Sequence, residues 1–317
     1  MTSLQVSRLL LCVAALGLLV GGRAVSAQTD AASADPSTPA ADTSSWQYET
    51  TVGLNFSQAA YENWEEGAGN NSLALSTGVR AKAAKQGAHW IQLHEAQLDF
   101  GLIDQADQEL RKAEDLIQLN TSLRYDGNGF FNIFNPTIAG NLRTQFAKGF
   151  DYTENPFDGQ VPDGDPRTGP GTPVQTSEFL SPAFITESLG LTYEPFRDIT
   201  FRLGIASKQT VVLDRAFRVL YGVDPDENAL VEGGAELAAS VDRRLAENVR
   251  YRSQFNAFYA VNQTENPPDA RWQNTITLTV NDWLSTDLEF VALYNNDITN
   301  AIQLKETISV GVSFALL

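Results

Sequence analysis

The chain ends in IQLKETISVGVSFALL (residues 302–317), and this stretch decides the fold. Ile302, Leu304, Ile308, Val310, Val312, Phe314 and Leu316 take every second position, with Gln303, Lys305, Thr307, Ser309 and Ser313 between them. Glu306 alone breaks the apolar file. Successive side chains on a strand point to opposite faces, so the segment has one greasy face and one polar face. A closing strand of this kind, with an aromatic near its end, is the pattern of a transmembrane β-barrel.

Working back towards Trp46, the same period of two recurs eleven more times. Trp46, Tyr48, Thr50, Val52, Leu54 and Phe56 alternate with Gln47, Glu49, Thr51, Gly53, Asn55 and Ser57. Leu73, Leu75, Val79, Ala81 and Ala83 oppose Ser72, Ser76, Arg80 and Lys82. Segments near 88–103 and 114–125 alternate less cleanly. A fifth carries Phe134, Ile138, Leu142 and Phe146 against Asn135, Asn141, Arg143 and Gln145, and a sixth covers about 178–193. The seventh, 199–213, sets Phe201, Leu203 and Ile205 against Arg202 and Lys208; the eighth spans about 235–243. Val249, Tyr251, Phe255, Ala257 and Tyr259 alternate with Arg250, Arg252, Gln254 and Asn256. Trp272, Ile276, Leu278 and Val280 oppose Gln273, Thr275, Thr277 and Thr279, and Leu284, Leu288, Phe290 and Tyr294 oppose Asp287 and Glu289. Helices, whose period is 3.6, do not generate such runs.

The connections reinforce this reading. Short turns are expected near 85–87, 126–129, 194–198, 244–247 and 281–282. Long ones are expected near 59–71, 104–113, 150–177, 214–234, 262–270 and 295–301. Strict long–short alternation is the habit of outer-membrane barrels, with short periplasmic turns and longer external loops. The expected fold class is therefore all-β: a transmembrane antiparallel up-and-down barrel of about twelve strands over residues 46–317. An even count puts both termini in the periplasm. Trp and Tyr near strand ends suit interfacial girdles.

Residues 1–27 read as a signal peptide: Arg8, an apolar run from Leu9 to Val20, and Ala-Val-Ser-Ala before Gln28. Gly17, Gly21 and Gly22 interrupt the run, which is too short for a membrane span. Residues 28–45, rich in Ala, Ser, Thr, Asp and Pro, are expected to form a flexible periplasmic leader. The single cysteine, Cys12, lies inside the signal, which leaves the mature chain without thiol or disulfide chemistry. With only His89 and His94 besides, no metal and no cofactor is expected. A net charge of −17 argues against nucleic acid as a partner. It fits either a high-salt surface or a merely acidic exterior.

FSQAAYENWEEGAGNNS (56–72), TQFAKGFDY (144–152) and FLSPAFITESLGLTYEP (179–195) resemble a Bacteroidetes-type outer-membrane barrel family catalogued as a domain of unknown function. The first stretch carries the asparagine–tryptophan, glycine-rich signature through Asn63, Trp64, Gly67, Gly69, Asn70 and Ser72. Glu65 and Glu66 depart from its small residues, and Ala68 interrupts the glycine pair. The resemblance implies a barrel and an outer-membrane address, and no activity.

The inward face is expected to carry Arg80, Lys82, Arg143, Arg202, Lys208, Arg250, Arg252, Asp287, Glu289 and Lys305. Such charges either pair into a network that plugs the lumen or line a narrow pore for ions and small hydrophilic solutes. Neutralising Arg143, Arg202 or Arg252 is expected to alter a low conductance. Expected partners are outer-membrane lipids, the barrel assembly machinery through the terminal strand, and a small solute or ion. The Gly- and Pro-rich stretch 151–173 is expected to stay mobile rather than constrict the mouth or hold divalent cations. Glu65, Glu66, Asn70 and Asn71 match no calcium-loop spacing and are expected to serve loop folding. The alternative activity is an outer-membrane lipase or protease built on His94 or His89. Glu95 cannot orient its neighbour His94, and no Gly-x-Ser-x-Gly elbow occurs. The chain is therefore expected not to be an enzyme.

Overall fold

A computed structural model describes residues 45–59, 72–105, 108–169 and 171–315. The expected signal peptide, nearly all of the leader, and Asn63, Trp64, Gly67, Gly69 and Asn70 of the glycine-rich motif lie outside these residues. The chain forms β1 (Trp46–Ala59), β2 (Ser72–Gln86), β3 (Trp90–Gln105), β4 (Arg111–Tyr125) and β5 (Phe134–Thr144). A small hairpin of β6 (Gly149–Asp151) and β7 (Val174–Ser177) follows. Then come β8 (Ala183–Phe196), β9 (Ile199–Val211), β10 (Ala229–Ala246) and β11 (Val249–Ala260). β12 (Asp269–Thr279), β13 (Leu284–Asn295) and β14 (Thr299–Ala315) complete it. All but β6 and β7 join in one closed barrel of twelve antiparallel strands, each beside its neighbours in sequence, with β14 returning to β1.

The register fixes which side each residue faces. Leu54, Val312, Leu284 and Thr286 trace one side of the wall, and the exposed residues share its parity. Ile302, Leu304, Ile308 and Val310 stand outward at 52–75% exposure, as do Leu203 and Ile205. The polar alternates are buried instead: Asp99, Thr137, Ser188, Thr192, Lys208, Glu232 and Glu236. This inverts a soluble protein, where the apolar set is hidden. It is the architecture of a transmembrane barrel, in which lipid-facing and lumen-facing residues alternate. Carboxylates interrupt the outer face at Glu306, opposite Phe290, at Glu187, opposite Ser207, and near the strand end at Asp104, opposite Leu73.

Closure is narrow. β1 pairs with β2 along its whole length, whereas its ladder with β14 runs from Thr51–Ala315 to Asn55–Gly311. Aromatic rings cluster at the short-turn end: Trp90 with Tyr125 at 5.1 Å, and Phe134 with Phe130 at 5.1 Å and Tyr193 at 5.3 Å.

Several expectations need correction. The eighth strand is much longer than 235–243, because Ala229–Gly234 pair with β9 despite carrying two glycines and a glutamate. The sixth starts at Ala183 rather than 178, after a tight Glu178–Ser181 bridge. Loop lengths do not alternate strictly. Residues 126–133 at the short-turn end include a helical turn, Phe130–Ile133, while residues 296–298 at the other end form a tight connection.

Stretch 151–173 is not a free loop. With residues 212–228 it builds a cap having its own core of Phe157, Val212, Phe217 and Val223. Burying each contributes about 1.5–3 kcal/mol. Asp165 and Asp214 accept from the backbone N–H two residues on and start short 3₁₀ turns, and Gly222 at φ 69° closes the second. Arg218 is buried and, among the described residues, has no carboxylate partner; it donates to the carbonyls of Val212 at 3.2 Å and Pro225 at 2.8 Å and to Asn228 Oδ1. Arg167 joins the two segments by donating to the Ala216 carbonyl at 3.0 Å.

Candidate functional site: the charged lumen

The ten expected lumen residues all share the inward parity, because the ladders keep register from strand to strand. The structure does not gather them in one place. Arg143, Arg202 and Lys208 line a cavity of about 470 Å³. Arg80, Lys82, Arg250, Arg252, Asp287, Glu289 and Lys305 lie elsewhere on the inner wall. Ser72, the described member of the glycine-rich motif, opens β2 opposite Gln105 and does not line this cavity.

Outside the cavity, charges pair across and along the wall. Lys305 on β14 reaches Glu114 on β4 at 3.3 Å and Glu289 on β13 at 3.8 Å. Arg250 grips Asp242 with both Nε and Nη2 at 2.7 Å, and Arg252 stands 3.6 Å from the same carboxylate. Thr277 donates to Asp287 at 2.6 Å.

The cavity runs along most of the strand length. Ile91, Arg124, Glu194 and Thr200 line it near the short-turn end, and Lys208, Phe258, Asp269 and Asn295 near the long-loop end. At the short-turn end a second hollow of about 350 Å³ shares Arg124 and Glu194 with it. At the other end Lys208 forms a hub. Its ammonium meets Glu232 Oε2 at 2.7 Å, Asp297 Oδ2 at 2.9 Å and Asp269. These side chains are 4–18% exposed, which leaves little water among them. The three carboxylates converge within 4.8 Å, as they would around a metal ion, but the lysine nitrogen stands among them. The hub ties β9, β10 and β12 to the β13–β14 connection.

The other carboxylates lining the cavity are also engaged. Arg202 donates to Glu236 at 3.1 Å, Arg124 holds Glu194, and Glu95 stands 3.9 Å from Lys82. Two guanidiniums are left over. Arg143 rests on the Phe184 ring at 4.9 Å and, among the described residues, makes no hydrogen bond or ion pair. Arg271 donates to the Gln273 amide at 3.2 Å and has no ion pair among the described residues.

Sequence reasoning missed Arg271, Arg124, Glu194, Glu232, Glu236, Asp269 and Asp297. Parity would have found Arg271, which shares a face with Gln273 and Thr275.

In the cap, Asp165 is held down to about 2, first by the Arg167 side chain and then by its backbone N–H. Burial pushes the Tyr221 phenol up to about 12 while it donates to the Thr176 carbonyl at 3.2 Å.

His94 points outward, away from the lumen, with Thr121 Oγ1 at 2.8 Å from Nδ1 and the Trp46 ring at 5.6 Å. His89 sits in a short turn, 3.3 Å from the Asp126 carbonyl.

Residues 56–150 match the family described as "Protein of unknown function (DUF3078)". No curated protein matches the chain. Among solved structures, the chain is similar to the COG4313 outer membrane channel from Pseudomonas putida F1. The identity there is 9%, over 88% of this chain and 98% of that one, with a TM-score of 0.36. It is also similar to the translocator domain of the autotransporter NalP from Neisseria meningitidis. That match has 10% identity over 86% and 89% of the two chains, with a TM-score of 0.36. A third is the NanC porin, at 9% identity over 84% and 98%, with a TM-score of 0.35.

Proposed function

We propose that the chain is an outer-membrane barrel, with both termini in the periplasm, that admits small hydrophilic solutes to its lumen and is latched at the external mouth. One observation carries this reading: a closed sheet turns its apolar file outward and its charges inward. No internal core would reward that pattern, whereas a hydrocarbon surround does. The barrel acts as a binding compartment in the latched state. It becomes a narrow passive channel when the Lys208 hub opens, because the cavity already reaches that hub from the short-turn end.

The reading is non-enzymatic. The outward histidine, with a threonine and an indole beside it, lacks a carboxylate partner among the described residues. A serine or threonine hydrolase needs its base oriented by a third group.

The test is membrane fractionation followed by planar-bilayer recording of the purified protein. The expected result is recovery in the outer membrane with small, intermittent conductance. Recovery as a soluble periplasmic protein, or a large steady conductance, contradicts it.

A further inference from the structure

We propose that Arg143 and Arg271 form a binding site for the oxyanion, carboxylate or phosphate, of a small polyhydroxylated molecule inside the lumen. This deepens the solute-binding reading above and rests on it. Arg143 is the penultimate residue of β5, and Arg271 is the third of β12. Those strands stand five apart round a ring of twelve, so the two side chains reach in from nearly opposite walls at the long-loop end. Both line the same cavity. Two like charges that line one cavity, each without an ion pair among the described residues, are unfavourable until an anion joins them.

The surrounding acids do not fill that role. Asp269 is turned to Lys208, Glu236 to Arg202, Glu194 to Arg124, and Glu95 is nearest Lys82. Glu289 on the neighbouring strand β13 is engaged by Lys305 at 3.8 Å. Of the four arginines lining the cavity, Arg124 and Arg202 are paired with carboxylates, whereas Arg143 and Arg271 have no such pair among the described residues. A guanidinium presents a planar fork that suits carboxylate and phosphate oxygens in pairs. Phe184 holds Arg143 by a cation–π contact without using up its N–H donors. Asn120, Asn141, Thr186 and Asn256 line the same space and supply neutral donors and acceptors for hydroxyl groups. About 470 Å³ exceeds the needs of an inorganic ion and fits a monosaccharide-sized ligand.

The experiment is calorimetric titration of the intact purified barrel with glucose 6-phosphate, glucuronate and glucose. Both anions are expected to bind at least tenfold more tightly than glucose. Arg143→Gln and Arg271→Gln should each weaken anion binding about tenfold, and the double variant should abolish it. Arg250→Gln, at a residue outside the cavity, should leave it unchanged. Arg143→Lys keeps the charge and serves should the glutamine variant fail to fold; it should bind more weakly than the parent and more tightly than any folded glutamine variant. Equal binding of glucose, retention of binding by the folded double variant, or no binding by the parent at millimolar ligand overturns the proposal. These outcomes are separate from the conductance test, since a latched barrel can bind anions and an open one can ignore them.

Discussion

The two ends of the barrel are held by different physics. At the long-loop end a nearly dry ionic hub sits below a cap with its own apolar core. At the short-turn end the ion pairs are wetter and the stabilisation comes from aromatic rings. Lys208 is 8% exposed at its side chain, whereas Arg250 and Asp242 are 46% and 48% exposed. A buried ion pair stripped of one partner costs about 3–5 kcal/mol, and an exposed one about 0–1 kcal/mol. The comparison teaches where a gate can be built. A structure that opens by moving charges needs them desolvated, so that their rearrangement is an all-or-none event.

The largest expected effect follows from Lys208→Met, which leaves Glu232, Asp269 and Asp297 facing one another without a cation. Conductance in planar bilayers should rise severalfold, and the urea midpoint should fall by an amount corresponding to about 3–5 kcal/mol. A silent variant with native stability would remove the hub from the account.

Next comes Phe217→Ala, which hollows the cap core at a cost of about 3–5 kcal/mol. Chymotrypsin should then cut within residues 145–182 while the barrel resists. Protection equal to the parent would mean that the cap does not depend on this core.

A smaller effect distinguishes the cap by pH. The raised Tyr221 value means that its contribution is fully present below the free phenol's value near 10 and is lost as pH rises towards about 12. The depressed Asp165 value works the other way: its contribution is present above about 4 and lost as pH falls towards about 2. Ultraviolet titration of tyrosinate should show one phenol near 12 that disappears in Tyr221→Phe. A Tyr221 titrating near 10 would contradict the packing described.

The smallest effects are expected at exposed charges. Arg250→Gln should shift stability by less than about 1 kcal/mol. Glu306→Leu should raise it by about 1 kcal/mol, since a carboxylate on the lipid side is unfavourable. A large loss in either would mean that the short-turn end, or the outer face, carries weight not assigned to it.

The strands were legible because the period of two survives wherever one face meets lipid. The final four alternations give the inward set, Arg250, Arg252, Asp287, Glu289 and Lys305, from parity alone. The hub was not legible. Glu232 and Asp269 sit at strand ends taken from composition as loop, and Asp297 lies in a tight connection, so nothing local links them to Lys208. Their meeting depends on barrel closure, which brings β9 and β12 within reach across the interior. The cap was hidden for a related reason. Phe157, Val212, Phe217 and Val223 are scattered over two connections with no periodic signal, and Gly and Pro content reads as mobility when the turns are in fact packed.

The most direct test of the account uses single cysteines placed along β14, which is feasible because Cys12 falls within the expected signal peptide. A fluorophore at positions 302, 304, 308 and 310 should be quenched by brominated lipid, and one at 303, 305, 307 and 309 should be quenched by aqueous iodide. Uniform quenching along the strand, or the opposite alternation, would contradict a barrel whose apolar side meets the bilayer.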